Sequence, residues 1–146
     1  MKTRHATAQK GLDSDLIKSS AHGDAHRVKL LLDSGADIHA QDDQTFRLSA
    51  GYGYQEVAKL LLDRGADIHA QDDQAFRWAA KNGHLEVVNI LLAHGADLEI
   101  GIKAAKDVGK SRMLGILNQI KLSREEKKLL SMEIQEPEPL AVKIRM

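Results

Sequence analysis

Ten residues, GADIHAQDDQ, begin at Gly35 and recur beginning at Gly65, and a third partial copy, GADL, begins at Gly95, so the chain repeats itself every 30 residues. A unit of that length is a single supersecondary element that cannot bury its own apolar face. Neighbouring copies must therefore stack into a solenoid, which leaves a long exposed surface suited to holding something. At 146 residues with 42% hydrophobic residues, the chain is long enough for one such array with a modest core.

The charge balance narrows the partners. Lysine plus arginine and aspartate plus glutamate stand at 21 each, so there is no basic footprint of the kind a phosphate backbone needs, and direct nucleic-acid binding is not expected. The absence of cysteine removes disulfides, thiolate catalysis and the common zinc frameworks, and leaves the redox compartment open. The start, MKTRHATAQKGLDSD, has charge but no apolar h-region, and no stretch approaches the apolar length that spans a bilayer. A soluble, cytoplasmic protein without a membrane partner is the expectation.

The copies can be compared with one another. Asp13, Asp43 and Asp73 recur at the period, each three residues before Leu16, Phe46 or Phe76 and ahead of a small pair, Ser19-Ser20, Ser49-Ala50 or Ala79-Ala80. This predicts a helix N-cap followed by a short helix with one narrow buried stripe, whose small residues let another helix approach closely. After Gly23, Gly53 and Gly83 come Val28, Leu30, Leu31, then Ala58, Leu60, Leu61, then Val88, Ile90, Leu91, which predict a second, more apolar helix. Gly35, Gly65 and Gly95 close it where a left-handed C-cap is required.

NGHLEVVNILLAHGAD, from Asn82 to Asp97, and GYQEVAKLLLDRGAD, from Gly53 to Asp67, resemble the second half of an ankyrin repeat. The resemblance covers three fuller repeats and a degenerate fourth, in which Gly109, Met113, Leu114, Ile116 and Leu117 take the glycine and second-helix positions of a capping repeat. Ankyrin repeats usually run about 33 residues and open with T-P-L-H; here the opening is QTFRLSA or QAFRWAA and three residues are missing, so the inter-repeat turn must be shorter. Short variants of this sort are similar to ankyrin arrays in large viruses and bacteria. The implied fold is all-α: a solenoid of stacked helix-turn-helix units with short inter-repeat turns and a C-terminal helical extension. The division expected is a flexible segment over 1–11, an array over 12–120 and a tail over 121–146.

In this family partners are gripped by the concave face, made of turn tips and the outward side of the first helices, and the positions that vary between copies fall there. Residues 18, 48 and 78 are Lys, Leu and Trp; 21, 51 and 81 are Ala, Gly and Lys; 22, 52 and 82 are His, Tyr and Asn. Tyr54 and His84 open the second helices nearby. The candidate contact set is therefore Tyr52, Tyr54, Trp78, Lys81, Asn82, His84 and Leu48, with Tyr52 and Trp78 as anchors because buried aromatics dominate many interfaces. The competing reading for Trp78 is that it covers the seam between two repeats.

Asp42, Asp43, Asp72 and Asp73 give the turns an acidic edge that suits a basic partner. Asp43 and Asp73 are expected to cap their own helices, which leaves Asp42 and Asp72 as free carboxylates and adds them to the candidate set. Arg47 and Arg77 stand where the family usually has a histidine that ties turns together, and read as bridges to those acidic turns. His39 and His69 would stack in adjacent repeats, but Glu99 takes the next equivalent position and there is no third ligand at fixed spacing, so no metal is expected. No nucleophile and base stand in a recognisable order and the carboxylates do not converge, so neither catalysis nor a cofactor is expected.

Ser123 and Glu126, at capping-box spacing before KKLLSMEI, predict a short separate helix after the array; QEPEP then breaks the chain, and Leu140, Val142 and Ile144 alternate in strand-like fashion. The function expected is a non-catalytic protein-binding module, monomeric, that acts as an inhibitor, immunity-type protein or adaptor. One alternative is an acidic mimic of nucleic acid that inhibits a nucleic-acid-binding protein. Another is a structural homo-oligomer held by the tail.

Overall fold

The computed structural model describes residues 2–134, with side chains from His5 onward. Every element among the described residues is a helix: α1 (Lys2–Ala21), α2 (Ala25–Asp33), α3 (Ala40–Tyr52), α4 (Gln55–Asp63), α5 (Ala70–Asn82), α6 (Leu85–Ala93), α7 (Leu98–Asp107) and α8 (Ser111–Ile134). They pair as α1/α2, α3/α4, α5/α6 and α7/α8. The first helices α1, α3, α5 and α7 touch in succession to form one layer, and α2, α4 and α6 form the second.

The core runs between the layers. Each of the first three first helices contributes one large residue, Leu16, Phe46 or Phe76, and each second helix answers with a small apolar group, Val28, then Val57 and Leu61, then Val87, Val88 and Leu91, all fully buried. Ser19, Ser20, Ser49, Ala50, Ala79 and Ala80 are buried too, as expected of positions where first helices approach one another. In the fourth repeat Ala105 takes that position and is also buried. One turn earlier, Gly101 stands where the third repeat has Ala75, and the Phe76 ring tip would stand only 2.6 Å from a Cβ there. Both sets of glycines have left-handed backbone, with φ between 67° and 82° in the intra-repeat loops and between 95° and 97° at the ends of α2, α4 and α6.

Two boundaries differ from the sequence reading. Residues 2–11 form the first half of α1, and Gln9 Nε2 donates to the Gly35 carbonyl and to Asp13 Oδ1, at 2.9 Å each, which ties this half-helix onto the end of the first repeat. A separate short helix does not start at Ser123; α8 continues through it, because no Pro or Gly interrupts residues 116–134 and helix-forming Lys, Leu, Arg and Glu surround the serine. The inner half of α8 buries Met113 and Leu117 as the capping repeat requires. Lys121 Nζ then reaches Glu99 Oε1 of α7 at 2.6 Å, and the hydrogen bond and charge of Glu99 raise the Lys121 ammonium above its ordinary 10.5. Beyond that pair α8 projects alone. The segment containing Leu140, Val142 and Ile144 lies outside the described residues.

Candidate functional site

The short turns are built from left-handed residues. Gln41, Asp42 and Asp43 have φ of 53°, 56° and 56°, and Gln71, Asp72 and Asp73 have φ of 54°, 54° and 57°. None is glycine, and each L-residue in this region costs about 1–2 kcal/mol. One left-handed turn reverses the chain in few residues but leaves its carbonyls without helical partners, and the arginines take them. Arg47 Nε donates to the Asp42 carbonyl at 2.9 Å and Nη2 to the Gln41 carbonyl at 3.0 Å, while Nη1 reaches Gln74 Oε1 of the next repeat. Arg77 Nη2 donates to the Gln71 carbonyl at 3.3 Å. The arginines thus bind the backbone of the turns, not the carboxylates expected from sequence: the planar fork of Arg47 fits two carbonyls presented side by side, and Arg77 takes one.

Asp43 does not act as the cap of its own helix. Its side chain reaches across the repeat boundary, where Oδ1 accepts the N–H of Asp67 at 2.9 Å. Asp13, in helical α1, accepts the N–H of Asp37 on Oδ1 in the same way at 2.7 Å, so the bond does not depend on the left-handed backbone. Asp97 caps α7, its Oδ1 accepting the N–H of Glu99 at 3.0 Å. Asp37 and Asp67 make the same bond to the N–H of His39 and His69, at 2.9 and 2.8 Å, as Asx turns just ahead of α3 and α5, whose own N-cap side chains make no capping bond. Sequence reasoning passed over these three, although the GAD triplet recurring in every copy signals them. His39 Nδ1 lies 3.1 Å from Asp43 Oδ1 and His69 Nδ1 lies 2.6 Å from Asp73 Oδ1, so each stacked histidine pairs within its own turn. Among the described residues no group of three His, Asp or Glu side chains is placed to hold a metal ion.

The two carboxylates read as free are both exposed, and Asp42 Oδ2 accepts from Gln71 Nε2 at 2.8 Å, which links adjacent turns. With Asp43, Asp67 and His69 they line an open acidic cleft of about 450 Å³ along the turn edge.

The rest of the candidate set divides in two. Tyr52 is 57% exposed and Trp78 36% exposed, Leu48 and Lys81 are half-buried, and all four stand on the first helices. Trp78 also covers a seam, since its Cε3 would stand 2.8 Å from a Cβ at Gly51. Lys81 lines a smaller cleft of about 360 Å³ with Arg77, Lys103, Asp73 and Asp107. Tyr54, Asn82 and His84 instead close the loops between first and second helices. The Tyr54 ring lies on Gly23 and the His84 ring on Gly53; His84 Nε2 is 3.0 Å from the Gly51 carbonyl, and Asn82 Nδ2 donates to that same carbonyl at 2.7 Å. Tyr52 and Tyr54 are neighbours, with ring centroids 6.1 Å apart. Asp42 and Asp72 sit at the far end of α3 and α5 from these loops, so one partner can touch every candidate only by spanning the length of the first helices.

No described helix is long and apolar enough to cross a membrane. No curated protein matches the chain. The family described as "Ankyrin repeats (3 copies)" matches residues 16–101, the stretch that runs from Leu16 in α1 through the three helix pairs to Gly101 in α7. Stacked helix pairs, left-handed glycine caps and that match agree, and the chain belongs to the ankyrin-repeat family.

Proposed function

We propose that this protein is a non-catalytic module that occupies the surface of a protein partner through the outward side of its first helices and the adjoining turns, and thereby inhibits or adapts that partner. Ankyrin repeats generally mediate protein–protein interaction and are typically non-catalytic. The observation that carries the more specific reading is the exposure of Tyr52 and Trp78 on successive first helices. Large rings held in place by the scaffold bury much area at small entropic cost on binding, and they anchor many interfaces. The small size of the array favours blocking one surface over scaffolding several. The shortened repeat, with its likeness to arrays of large viruses and bacteria, favours a host-interaction, anti-defence or immunity-type role.

The test compares wild type with a Tyr52→Ala, Trp78→Ala double variant of unchanged helicity and melting, in affinity capture followed by titration of the captured partner. A partner held by the wild type and lost by the variant is expected. A partner held equally by both would refute the aromatic anchors. Binding that falls steeply with added salt would place the contact at the acidic turn edge instead.

Self-association through the tail has one observation in its favour. Leu122, Leu129 and Leu130 are 58%, 62% and 58% exposed on the part of α8 that projects beyond the array. Sedimentation equilibrium of the full chain against a chain ending at residue 122 tests it. An unchanged mass after truncation rules it out.

A further inference from the structure

Each boundary between the first three repeats is closed on the loop side by a ring laid against a glycine. Three adjoining ring atoms of Tyr54 come within 2.6–2.9 Å of where a Gly23 Cβ would be, and three of His84 come within 2.5–2.8 Å of where a Gly53 Cβ would be. Tyr54 and His84 hold the same place in their repeats, because the Tyr54 N–H bonds to the Ser49 carbonyl and the His84 N–H to the Ala79 carbonyl. The residue that makes this bond in the fourth repeat is Lys110, to the Ala105 carbonyl, and the glycine it should cover is Gly83. Lysine has no ring, and nothing lies within 4 Å of a Cβ built on Gly83.

The place where a ring belongs is therefore open, and around it is a cleft of about 610 Å³, with Leu85, Met113 and Ile116 supplying apolar walls. Lys110 and Arg112 stand at its lip, both exposed and neither ion-paired among the described residues, against the single carboxylate of Glu86. The Lys81 carbonyl stands in register with the Gly51 carbonyl that receives His84 Nε2 one repeat earlier.

We propose that this cleft is a docking site for a partner protein's aromatic side chain flanked by acidic residues. The ring takes the position over Gly83 that Tyr54 and His84 take over Gly23 and Gly53, and the flanking carboxylates meet Lys110 and Arg112. The proposal rests on the protein-binding reading of the array but not on its first-helix face.

The test is a titration of the full ¹⁵N-labelled chain with the capped peptide acetyl-Glu-Trp-Glu-amide, followed through its amide resonances. Saturable shifts centred on Gly83 and residues 109–113 are expected. The leucine analogue should bind about fivefold more weakly, the loss expected for about 1 kcal/mol of ring packing. The acetyl-Lys-Trp-Lys-amide analogue should also bind more weakly. A Lys110→Tyr variant supplies the missing ring from within the chain, so it should raise the melting temperature by about 3 °C and remove the peptide shifts. Absence of saturable shifts at these amides, equal affinity for the leucine peptide, or undiminished binding by Lys110→Tyr would overturn the proposal. Because this probe and the Tyr52/Trp78 capture experiment read different faces, either can fail while the other stands.

Discussion

Replacing Gln41 by glycine should stabilise the protein. Gln41 is the first of three successive residues at positive φ, at 53°, and its side chain is exposed, while its carbonyl, which glycine retains, is the group that accepts Arg47 Nη2. Removing the Cβ relieves about 1–2 kcal/mol of left-handed strain. Glycine also loses about 0.5–1 kcal/mol more backbone entropy on folding than a residue with a Cβ. The net gain is about 0.5–1 kcal/mol. Urea unfolding followed by circular dichroism, with a slope of about 2 kcal/mol/M, converts that into a midpoint raised by about 0.3–0.5 M at unchanged slope. Gln41→Ala is the control, since it removes the same side chain but keeps the Cβ, and should stay within about 0.5 kcal/mol of wild type. A glycine variant no more stable than the alanine variant would refute the view that these turns are strained and held by their arginines.

Asp43→Ala should cost about 2–3 kcal/mol in the same assay, because it strips a buried acceptor from the Asp67 N–H and the His39 ring; a loss below about 0.5 kcal/mol, the ordinary scatter of surface substitutions, would contradict the cross-repeat role. Gly101→Ala should cost about 1–3 kcal/mol by driving a methyl into the Phe76 ring, and Phe76→Leu should recover part of it; equal loss in the double variant would speak against the contact. Gly51→Ala should push the single tryptophan, Trp78, off its seat and shift its fluorescence to the red. The Glu99 contact raises Lys121 from 10.5, so its stabilising effect is complete below pH 10.5 and fades as pH climbs through the raised value; Lys121→Met should melt slightly lower than wild type in the neutral range and lack that alkaline loss, so that the two curves converge at high pH, as read by melting against pH.

How much of this was legible depends on whether the cause is local. Helix pairs, small inter-helix positions and glycine caps follow from spacing within one repeat, and Leu16, Phe46 and Phe76 occupy the core they were assigned. Asp43 was misread because an aspartate before a helix has two uses for the same oxygen, and the N–H that claims it belongs to Asp67, a full turn of the array away. Arg47 was misread for a related reason. Opposite charge suggests a carboxylate partner, but the carbonyls that need a donor exist only once three residues turn left-handed. The Tyr54 and His84 contacts escaped notice because their seats, Gly23 and Gly53, lie in the preceding repeat. α8 ran past Ser123 because a capping-box spacing starts a helix only where the chain before it is not already helical.

The aspartate bonds across repeats all point one way. Asp13 serves the Asp37 N–H and Asp43 serves the Asp67 N–H, so each of the first two repeats supplies an acceptor that its successor lacks. Removing repeats from the C-terminal end deprives the remaining ones of none of these acceptors, whereas removal from the N-terminal end leaves a donor stranded at the new first turn. These acceptors alone therefore make the two ends of the array unequal: at the N-terminal end a new first repeat must bring its own aspartate for the turn that follows, while at the C-terminal end the requirement is for a repeat that covers the core, as α8 does with Met113 and Leu117.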